Sequence, residues 1–377
     1  MSGTAYIRRQ YEVSLGSDDE QAREVGGYRS SLTVTPAEIF WLDGEFVRSK
    51  DARVSVLSHT LHYGTGVFEG IRAYARSDNV YIFRLKEHME RLKDSAKIYF
   101  MDLKNSVDDL CSATVELIAK NEMRCQTYIR PIVFKGFGGI DLNLTKAPTH
   151  VAICPFKFES YFENQKSGLD TCVSSWRRIS DVSTPPMAKA CGHYLNCAAA
   201  KVEANLNGYD EAILLDSNGF VSEGTGENIF IVKDGKLVTP PLSASILNGI
   251  TRDTVITLAS EMCVQVAERN IARAELYTCD EAFFTGTAVE IMPILTVDRR
   301  QIGDGKMGVL TGRVKTFYNK VIAGNVEKYN SWLTPVYVRS VKQARTEPAI
   351  TAETSLKHGV DPVLEKFEMS FWHETHL

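Results

Sequence analysis

Two short stretches decide how this chain is interpreted. The first is Pro186-Met187-Ala188-Lys189-Ala190-Cys191-Gly192-His193-Tyr194, and the second is Ser222-Glu223-Gly224-Thr225-Gly226-Glu227-Asn228. A lysine among small residues, just before a helical pattern, can be partly desolvated, and desolvation favours the neutral amine that attacks carbonyl carbons. Glu223 would supply a buried carboxylate, which an aldehyde cofactor with a pyridine ring needs to keep its ring nitrogen protonated. Together the stretches predict carbonyl chemistry at Lys189.

Each stretch alone also fits an ordinary structural role, because most lysines are surface charges and most Ser-Glu-Gly strings are turns. Further motifs strengthen the chemical interpretation. They are Leu61-His62-Tyr63-Gly64-Thr65-Gly66-Val67-Phe68-Glu69-Gly70-Ile71-Arg72, Ile82-Phe83-Arg84-Leu85-Lys86-Glu87-His88, Tyr128-Ile129-Arg130-Pro131, Leu247-Asn248-Gly249-Ile250-Thr251-Arg252 and Thr285-Gly286-Thr287-Ala288-Val289-Glu290. In this order the motifs resemble the class IV aminotransferases, the fold-type IV pyridoxal-phosphate enzymes. The resemblance is strongest to their branched-chain amino acid aminotransferases.

Composition sets the broad class of the protein. The chain has 377 residues, 44% of them hydrophobic, which is enough for two sizeable cores. A formal net charge of −4, without long basic runs, gives no electrostatic basis for binding nucleic acid or an anionic membrane. The N-terminal residues contain no apolar signal core, and no run approaches the ~18 apolar residues of a membrane span. We expect a cytoplasmic protein with no nucleic-acid or membrane partner.

The eight cysteines also favour a cytoplasmic protein. They form no C-x-x-C pair, the spacing that would indicate zinc binding or redox chemistry. We interpret them as reduced core thiols, and the pattern predicts no metal site.

The order of patterns predicts five segments along the chain. They are a polar arm (1–36), a small α+β domain (37–157), a linker (158–165), a large sheet-rich cofactor domain (166–335) and a C-terminal extension (336–377). The resemblance implies a mixed α+β and α/β fold of two domains, the fold-type IV or D-amino acid aminotransferase-like architecture. The resemblance ends near Pro335, so it implies no role for the C-terminal extension.

Local signals predict several elements within these segments. Asp43-Gly44 tolerates the positive φ angles of a two-residue turn and predicts a hairpin. Apolar residues with helical period predict helices over Leu85–Tyr99 and Val107–Lys120. A further helix over Thr251–Cys263 follows Asn248-Gly249, so its first backbone N–H groups are free to face an anion. An ordinary capped helix is the alternative for this last element.

The resemblance also implies roles for particular side chains. Lys189 is the catalytic residue, which forms the Schiff base and shuttles the proton. Tyr194 and Glu223 contact the phenolic oxygen and the pyridine nitrogen of pyridoxal phosphate. The phosphate is held by Arg84, Ile250, Thr251 and Thr287. From the residues alone, Arg84 also fits a surface ion pair with Glu87, and Tyr194 a core tyrosine bonded to a carbonyl.

For the substrate, the resemblance implies a pocket wall of Phe68, Tyr63, Tyr128 and Arg130. Arg130 takes the distal carboxylate of glutamate, and the backbone of Thr287 and Ala288 holds the α-carboxylate. A structural charge pair is the alternative for Arg130, and simple core packing is the alternative for Phe68.

The expected reaction moves an amino group between an L-amino acid, branched-chain by resemblance, and a 2-oxo acid such as 2-oxoglutarate. Two half-reactions in one pocket give ping-pong kinetics. The resemblance implies a homodimer or an assembly of dimers, with the loop near Tyr63 completing the neighbouring site. Cys191, His193 and Phe156 depart from the family pattern, so an aminotransferase for an aromatic or unusual amino acid remains open. A D-amino acid aminotransferase and a noncatalytic homologue also remain open.

Overall fold

A computed structural model describes residues 34–76, 79–158 and 167–337 of the chain. The strands in these ranges are β1 (Thr35–Pro36), β2 (Ile39–Leu42), β3 (Glu45–Arg48), β4 (Gly66–Phe68), β5 (Ile71–Ala75), β6 (Val80–Phe83), β7 (Thr127–Lys135), β8 (Thr149–Lys157), β9 (Leu169–Arg177), β10 (Glu211–Leu215), β11 (Val221–Gly224), β12 (Asn228–Lys233), β13 (Lys236–Thr239), β14 (Val266–Glu268), β15 (Glu281–Gly286), β16 (Glu290–Val297), β17 (Arg300–Gln301) and β18 (Leu333–Pro335). The α-helices are α1 (His59–Tyr63), α2 (Leu85–Ile98), α3 (Val107–Lys120), α4 (Tyr194–Leu206), α5 (Ile250–Glu261) and α6 (Val309–Ile322).

The first sheet has nine antiparallel strands, in the order β18-β6-β5-β7-β8-β2-β3, with β1 paired to β8 and β4 to β7. Its hairpin β2–β3 turns at Asp43 and Gly44, whose φ angles are 50° and 100°. Positive φ at both turn residues matches the right-handed twist of the flanking strands, which explains the Asp-Gly pair. The predicted hairpin is therefore confirmed.

Helices α2 and α3 cover this sheet and bury one core with it, including Ile71, Met89, Leu92 and Leu117. Helix α3 begins with a capping box, because the Ser106 hydroxyl and the Asp109 carboxylate each bond the other's backbone N–H. The predicted helix over Val107–Lys120 is confirmed with the same bounds, and the helix over Leu85–Tyr99 is confirmed with its end one residue earlier.

The second sheet also has nine strands, in the order β11-β10-β9-β16-β15-β12-β13-β14, with β17 paired to β16. It is mixed, since β9 runs parallel to both β10 and β16. Helices α5 and α6 pack on one face through residues that include Phe230, Leu258, Phe283 and Val314. Helix α4 covers β9 and β10 through small buried alanines at 200 and 204. This arrangement is the mixed, sheet-rich fold that the sequence predicts.

The last described strand departs from a simple division of the chain. Strand β18 pairs with β6 of the first sheet, although residues 333–335 fall within the predicted large domain. The domain boundaries therefore stay a prediction. Most of the predicted arm, linker and C-terminal extension lies outside the described residues, although β1 lies at the end of the arm.

Within the described ranges, no helix combines the length and the apolar character needed to cross a bilayer. All eight cysteines are free thiols. Cys263 is exposed, however, so the prediction of core thiols is wrong for this residue.

Candidate active site

A cleft that is partly open to solvent joins the N-terminus of helix α5 to the segment before helix α4. It is lined by most of the residues that the sequence predicts for the cofactor and by some of those predicted for the substrate. Those that line it are Tyr128, Lys189, Tyr194, Glu223, Ile250, Thr251, Thr287 and Ala288.

Backbone hydrogen bonds fix the position of Lys189 on both sides of the residue. Its N–H donates to the Ser95 hydroxyl of α2 at 3.1 Å, and its carbonyl accepts from the N–H of Phe68 at 2.9 Å. The side-chain Nζ donates to the Tyr194 Oη at 2.6 Å. Burial lowers the pKa of the Lys189 amine, and the positive charge of Arg91 lowers it further. The neutral, nucleophilic form is thereby favoured.

Helix geometry places Tyr194 beside the lysine. A single 3-10 turn, Cys191–His193, separates Lys189 from the first residue of α4. Burial raises the pKa of the Tyr194 phenol, so the hydroxyl stays protonated. It can therefore accept a hydrogen bond from Lys189 and still donate one into the cleft.

Glu223, on β11, is held by three donors from separate segments. Its Oε1 accepts from Arg178 Nε at 2.7 Å. Its Oε2 accepts from Asn228 Nδ2 and from the N–H of Leu247, each at 3.0 Å. Burial raises the pKa of this carboxyl, and the adjacent guanidinium of Arg178 opposes the rise. A carboxyl group is thus held rigidly at the cleft, as the sequence predicts.

The opposite end of the cleft has the donors that an anion requires. Ile250 and Thr251 open helix α5, and the first N–H groups of a helix have no partner within it. Gly249 precedes them because a Cβ atom there would lie 1.9 Å from Asn228 Oδ1. Arg91 of α2 also lines the cleft, and its Nη1 donates to the Asn248 carbonyl at 2.8 Å.

Arg84 does not line the cleft, which corrects the expectation that it binds the phosphate. It precedes α2 in a left-handed conformation, with φ of 50°, and its Nη1 donates to the side chains of Asp253 and Thr254 on α5. Its guanidinium pairs with Glu87 at 2.7 Å and with Asp253 at 2.5 Å. The structural alternative, an ion pair with Glu87, is the arrangement observed. Arg91, two helical turns later, is the arginine that reaches the cleft.

Arg130 and Phe68 lie beside the cleft without lining it. The Arg130 Cζ is 4.7 Å from the centre of the Phe68 ring, and Lys189 Nζ is 5.0 Å from the same ring. The Phe68 ring therefore contacts both the guanidinium of Arg130 and the amine of Lys189. No carboxylate among the described residues pairs with Arg130, and its Nε is buried without a hydrogen-bond partner. The alternative of a structural charge pair is not seen for this arginine.

Tyr63 does not reach the cleft of its own chain. It ends helix α1, is 42% exposed, and donates its hydroxyl to the Ile140 carbonyl at 3.0 Å. Its contact with the substrate therefore stays a prediction, and the contact would have to be made in the cleft of a neighbouring chain.

Sequence reasoning missed several polar residues of the site. Arg178, Asn228, Glu227, Thr285 and Arg91 all line the cleft. Arg91 had a detectable signal, because it lies next to the apolar stripe of the predicted helix, whereas Arg84 precedes that helix. Glu227, Asn228 and Thr285 lie within motifs quoted above, but no role was predicted for them, and Arg178 had no local signal because its partner Glu223 is distant in sequence.

His193 departs from the family pattern and acts as a neutral connector. Its Nε2 lies 2.8 Å from both the Tyr99 and the Thr184 hydroxyls. Burial and the charge of Arg178 lower its pKa to about 4. The ring thus ties the segment before Lys189 to the end of α2. Cys191 remains a thiol, because burial raises its pKa.

These residues fit pyridoxal phosphate, the cofactor that the resemblance implies. The donor set combines an amine with a lowered pKa, a buried carboxyl group, and an arginine beside a helix N-terminus. The Thr285 hydroxyl is also buried at the cleft without a partner. No group of three or more potential metal ligands is found among the described residues.

Comparison with known proteins places the chain in a family. The amino-transferase class IV family matches residues 66–297. A probable branched-chain-amino-acid aminotransferase of Aquifex aeolicus (strain VF5) is 45% identical over 300 residues, which cover 79% of this chain and 96% of the relative. The branched-chain-amino-acid aminotransferase of Escherichia coli (strain K12) is 44% identical over 308 residues, with 81% and 99% covered.

Solved structures agree with these relatives. A branched-chain aminotransferase from Thermoproteus uzoniensis with norvaline has a TM-score of 0.77 and 46% identity, covering 80% of this chain and all of its own. The branched-chain amino acid aminotransferase from Thermobaculum terrenum, in its PLP-form, has a TM-score of 0.76 and 37% identity, with 80% and 99% covered. The chain therefore belongs to the class IV aminotransferases and is a pyridoxal-phosphate-dependent transaminase.

Proposed function

We propose that this transaminase exchanges amino groups between branched-chain L-amino acids and 2-oxoglutarate. The observation that carries the proposal is Arg130, a half-buried arginine next to the Phe68 ring and near Lys189. Its Nε is buried without a hydrogen-bond partner, and no carboxylate among the described residues pairs with it. Such a pair of groups can take an acidic side chain on the guanidinium and an aliphatic one on the ring. The names of the relatives support the branched-chain half of the proposal.

Bound pyridoxal phosphate supplies an aldehyde carbon for the amino group and a ring that withdraws electrons. Lys189 is the base that takes the proton from the substrate Cα, because its pKa is lowered and its backbone is held by Ser95 and Phe68. Tyr194 orients the amine through the 2.6 Å hydrogen bond. Glu223, fixed by its three donors, would hold the ring nitrogen of the cofactor.

We assign the cofactor phosphate to the cleft end formed by Arg91, the N–H groups of Ile250 and Thr251, and Thr287. Arg91 replaces Arg84 in this group, because Arg84 is paired outside the cleft. The turn at Thr287 and Ala288 remains our proposal for the α-carboxylate.

The substrate side chain would lie between Tyr128 and Phe68. Tyr128 stacks on Phe156, with ring centres 5.2 Å apart and an angle of 22° between planes. This wall is apolar on its faces and positive at Arg130, so both substrates of a ping-pong reaction can use one pocket. The stacked rings also favour a second candidate, an aminotransferase for aromatic amino acids.

The visible spectrum of the protein loaded with pyridoxal phosphate tests this proposal. We expect L-leucine and L-glutamate, added separately, to convert the bound cofactor to its aminated form, whereas D-alanine leaves it unchanged. A response to L-phenylalanine alone would move the assignment to the aromatic candidate. A response to D-alanine alone would identify the D-amino acid type, and no cofactor band at all would indicate the noncatalytic homologue.

We also propose a homodimer or an assembly of dimers in the cytoplasm. Support comes from exposed apolar side chains near Tyr63, namely Val56, Leu61, Ile140 and Leu142. The two segments that carry them are joined by the Tyr63–Ile140 hydrogen bond. A second apolar stripe runs along α4, through Leu195, Val202 and Leu206. Light scattering after gel filtration measures the assembly directly, and a monomer at micromolar concentration would overturn this part.

A further inference from the structure

Glu69, between β4 and β5, is a fully buried carboxylate outside the cleft, with 0% of its surface exposed. Burial of a lone carboxylate is strongly unfavourable, so a residue of this kind needs compensating partners. Glu69 has four donors. Arg91 provides Nε at 2.6 Å and Nη2 at 2.8 Å, His88 provides Nδ1 at 2.7 Å, and Gly70 provides its N–H at 3.2 Å.

The two bonds from Arg91 form a bidentate pair, which fixes the plane of a guanidinium as well as its position. The third nitrogen, Nη1, donates to the Asn248 carbonyl, just before the N-terminus of α5. Arg91 thus spans from the first sheet to the anion-binding end of the cleft. Without Glu69, nothing else in the described structure would hold its Nε and Nη2.

His88 completes the arrangement from the preceding turn of the same helix. Burial lowers the pKa of its ring, although Glu69 opposes that change, so the neutral ring donates its Nδ1 proton to the carboxylate. Arg91 and His88 together hold the pKa of Glu69 below its usual range against the effect of burial. The carboxylate therefore stays ionised at neutral pH and keeps its two hydrogen bonds from Arg91.

We propose that Glu69 is a positioning residue for the cofactor phosphate, which acts only through Arg91 and touches neither cofactor nor substrate. The inference rests on the proposed assignment of Arg91 and the start of α5 to the phosphate. Glu69 sets the direction of the guanidinium before the cofactor arrives, so that binding does not have to order a long, flexible side chain.

Affinity for two forms of the cofactor tests the proposal. The cofactor-free protein is titrated with pyridoxal phosphate and with pyridoxal, which lacks the phosphate, and bound ligand is followed by absorbance. We expect Glu69→Gln to weaken the binding of pyridoxal phosphate about tenfold to a hundredfold, which is the range of one charge-assisted hydrogen bond. The affinity for pyridoxal should stay unchanged. Equal weakening of both ligands, or of neither, would overturn the proposal.

Two further variants make the outcome specific. Glu87→Gln removes the carboxylate that pairs with Arg84 on the same helix, outside the cleft, and we expect both affinities to stay at the parent value. Arg91→Ala tests the underlying assignment. If Arg91→Ala selectively weakens the binding of pyridoxal phosphate and Glu69→Gln does not, the proposed role of Glu69 is wrong but the phosphate assignment stands. If Arg91→Ala weakens both ligands equally, the phosphate assignment itself fails.

Glu69→Asp covers the case in which Glu69→Gln does not fold. Aspartate keeps the buried charge for His88 and Arg91, but it is one methylene shorter and loses the bidentate geometry. We expect a smaller, still selective loss of affinity for pyridoxal phosphate. Parent affinity in Glu69→Asp would contradict the proposal.

Discussion

The two walls of the cleft differ in how completely their polar groups are paired. The lysine wall consists of Lys189, Tyr194, Arg178 and Glu223, and each of these side chains has a hydrogen-bond partner within the wall. The arginine wall consists of Tyr128, which lines the cleft, and of Phe68 and Arg130, which lie directly beside it. Its guanidinium pairs with no carboxylate among the described residues.

This difference suggests separate roles, with the lysine wall carrying out the reaction and the arginine wall selecting the substrate. The lysine wall is complete before a substrate enters, so its residues serve every substrate alike. The arginine wall leaves donors open, so its effect depends on whether the substrate brings a second carboxylate. Substitutions in the two walls should therefore leave different kinetic signatures.

Lys189→Ala gives the largest expected effect, because it removes the base from the lysine wall. We expect transamination to fall by about 10⁴-fold for both L-leucine and L-glutamate, since no other lysine among the described residues lines the cleft to move the Cα proton. Single-turnover absorbance measures the loss, and an unchanged near-ultraviolet circular dichroism spectrum controls for the fold. Residual activity for only one of the two substrates would contradict the inference that the lysine wall serves every substrate alike.

Glu223→Gln should have a smaller effect of the same kind. The amide keeps the shape of the side chain and can still accept from Arg178, but it lacks the charge that holds a ring nitrogen protonated. We expect kcat/KM to fall about a hundredfold for each substrate, with the ratio between L-leucine and L-glutamate unchanged. A tenfold change in that ratio would show that the lysine wall takes part in selection.

Arg130→Ala tests the other wall. We expect kcat/KM for L-glutamate and 2-oxoglutarate to fall about tenfold or slightly more, which corresponds to one lost charge-assisted hydrogen bond, and that for L-leucine to change little. Arg130→Lys keeps the charge without the planar fork and should give an intermediate loss. Equal losses for both amino acids would remove Arg130 from the role of selecting acidic substrates.

The sequence predicts elements well where the signal is local. The Asp43-Gly44 turn and the helix over Val107–Lys120 each depend on residues within a few positions, and both are confirmed. The return of β18 to the first sheet was not predicted, because strand pairing depends on residues far apart in sequence.

The same limit explains the site. Lys189 and Glu223 stand in distinctive local motifs, and both line the cleft. The choice between Arg84, which precedes α2, and Arg91, which lies on α2, depends on how this helix packs against the start of α5, which is a matter of tertiary packing. Of the partners of Glu223, Asn228 lies in the same motif, whereas Arg178 and Leu247 come from distant segments, so no local pattern points to those two.

Glu227 also lines the cleft and differs from the members of both walls. It is buried, but no cation among the described residues is bonded to its carboxyl group. The Gly226 N–H donates to it at 3.0 Å, whereas the nearby Lys201 pairs with Glu211. Burial, and next the negative charge of Glu211, raise the pKa of Glu227 from 4.5 to about 8. The folded protein therefore holds a proton here that the unfolded chain releases.

A raised folded-state pKa contributes stability that is fully present below pH 4.5 and is lost as the pH rises through about 8. Glu227→Gln keeps a neutral side chain at every pH, so it should become more stable relative to the parent by about 1 kcal/mol per pH unit in that window. We expect little change in turnover at pH 7, where Glu227 is already protonated. Urea unfolding of both proteins at pH 6, 7 and 8, at equal cofactor loading, measures the difference. Parallel pH profiles would mean that Glu227 is ionised in the folded protein and has a cation partner, as the members of the lysine wall do.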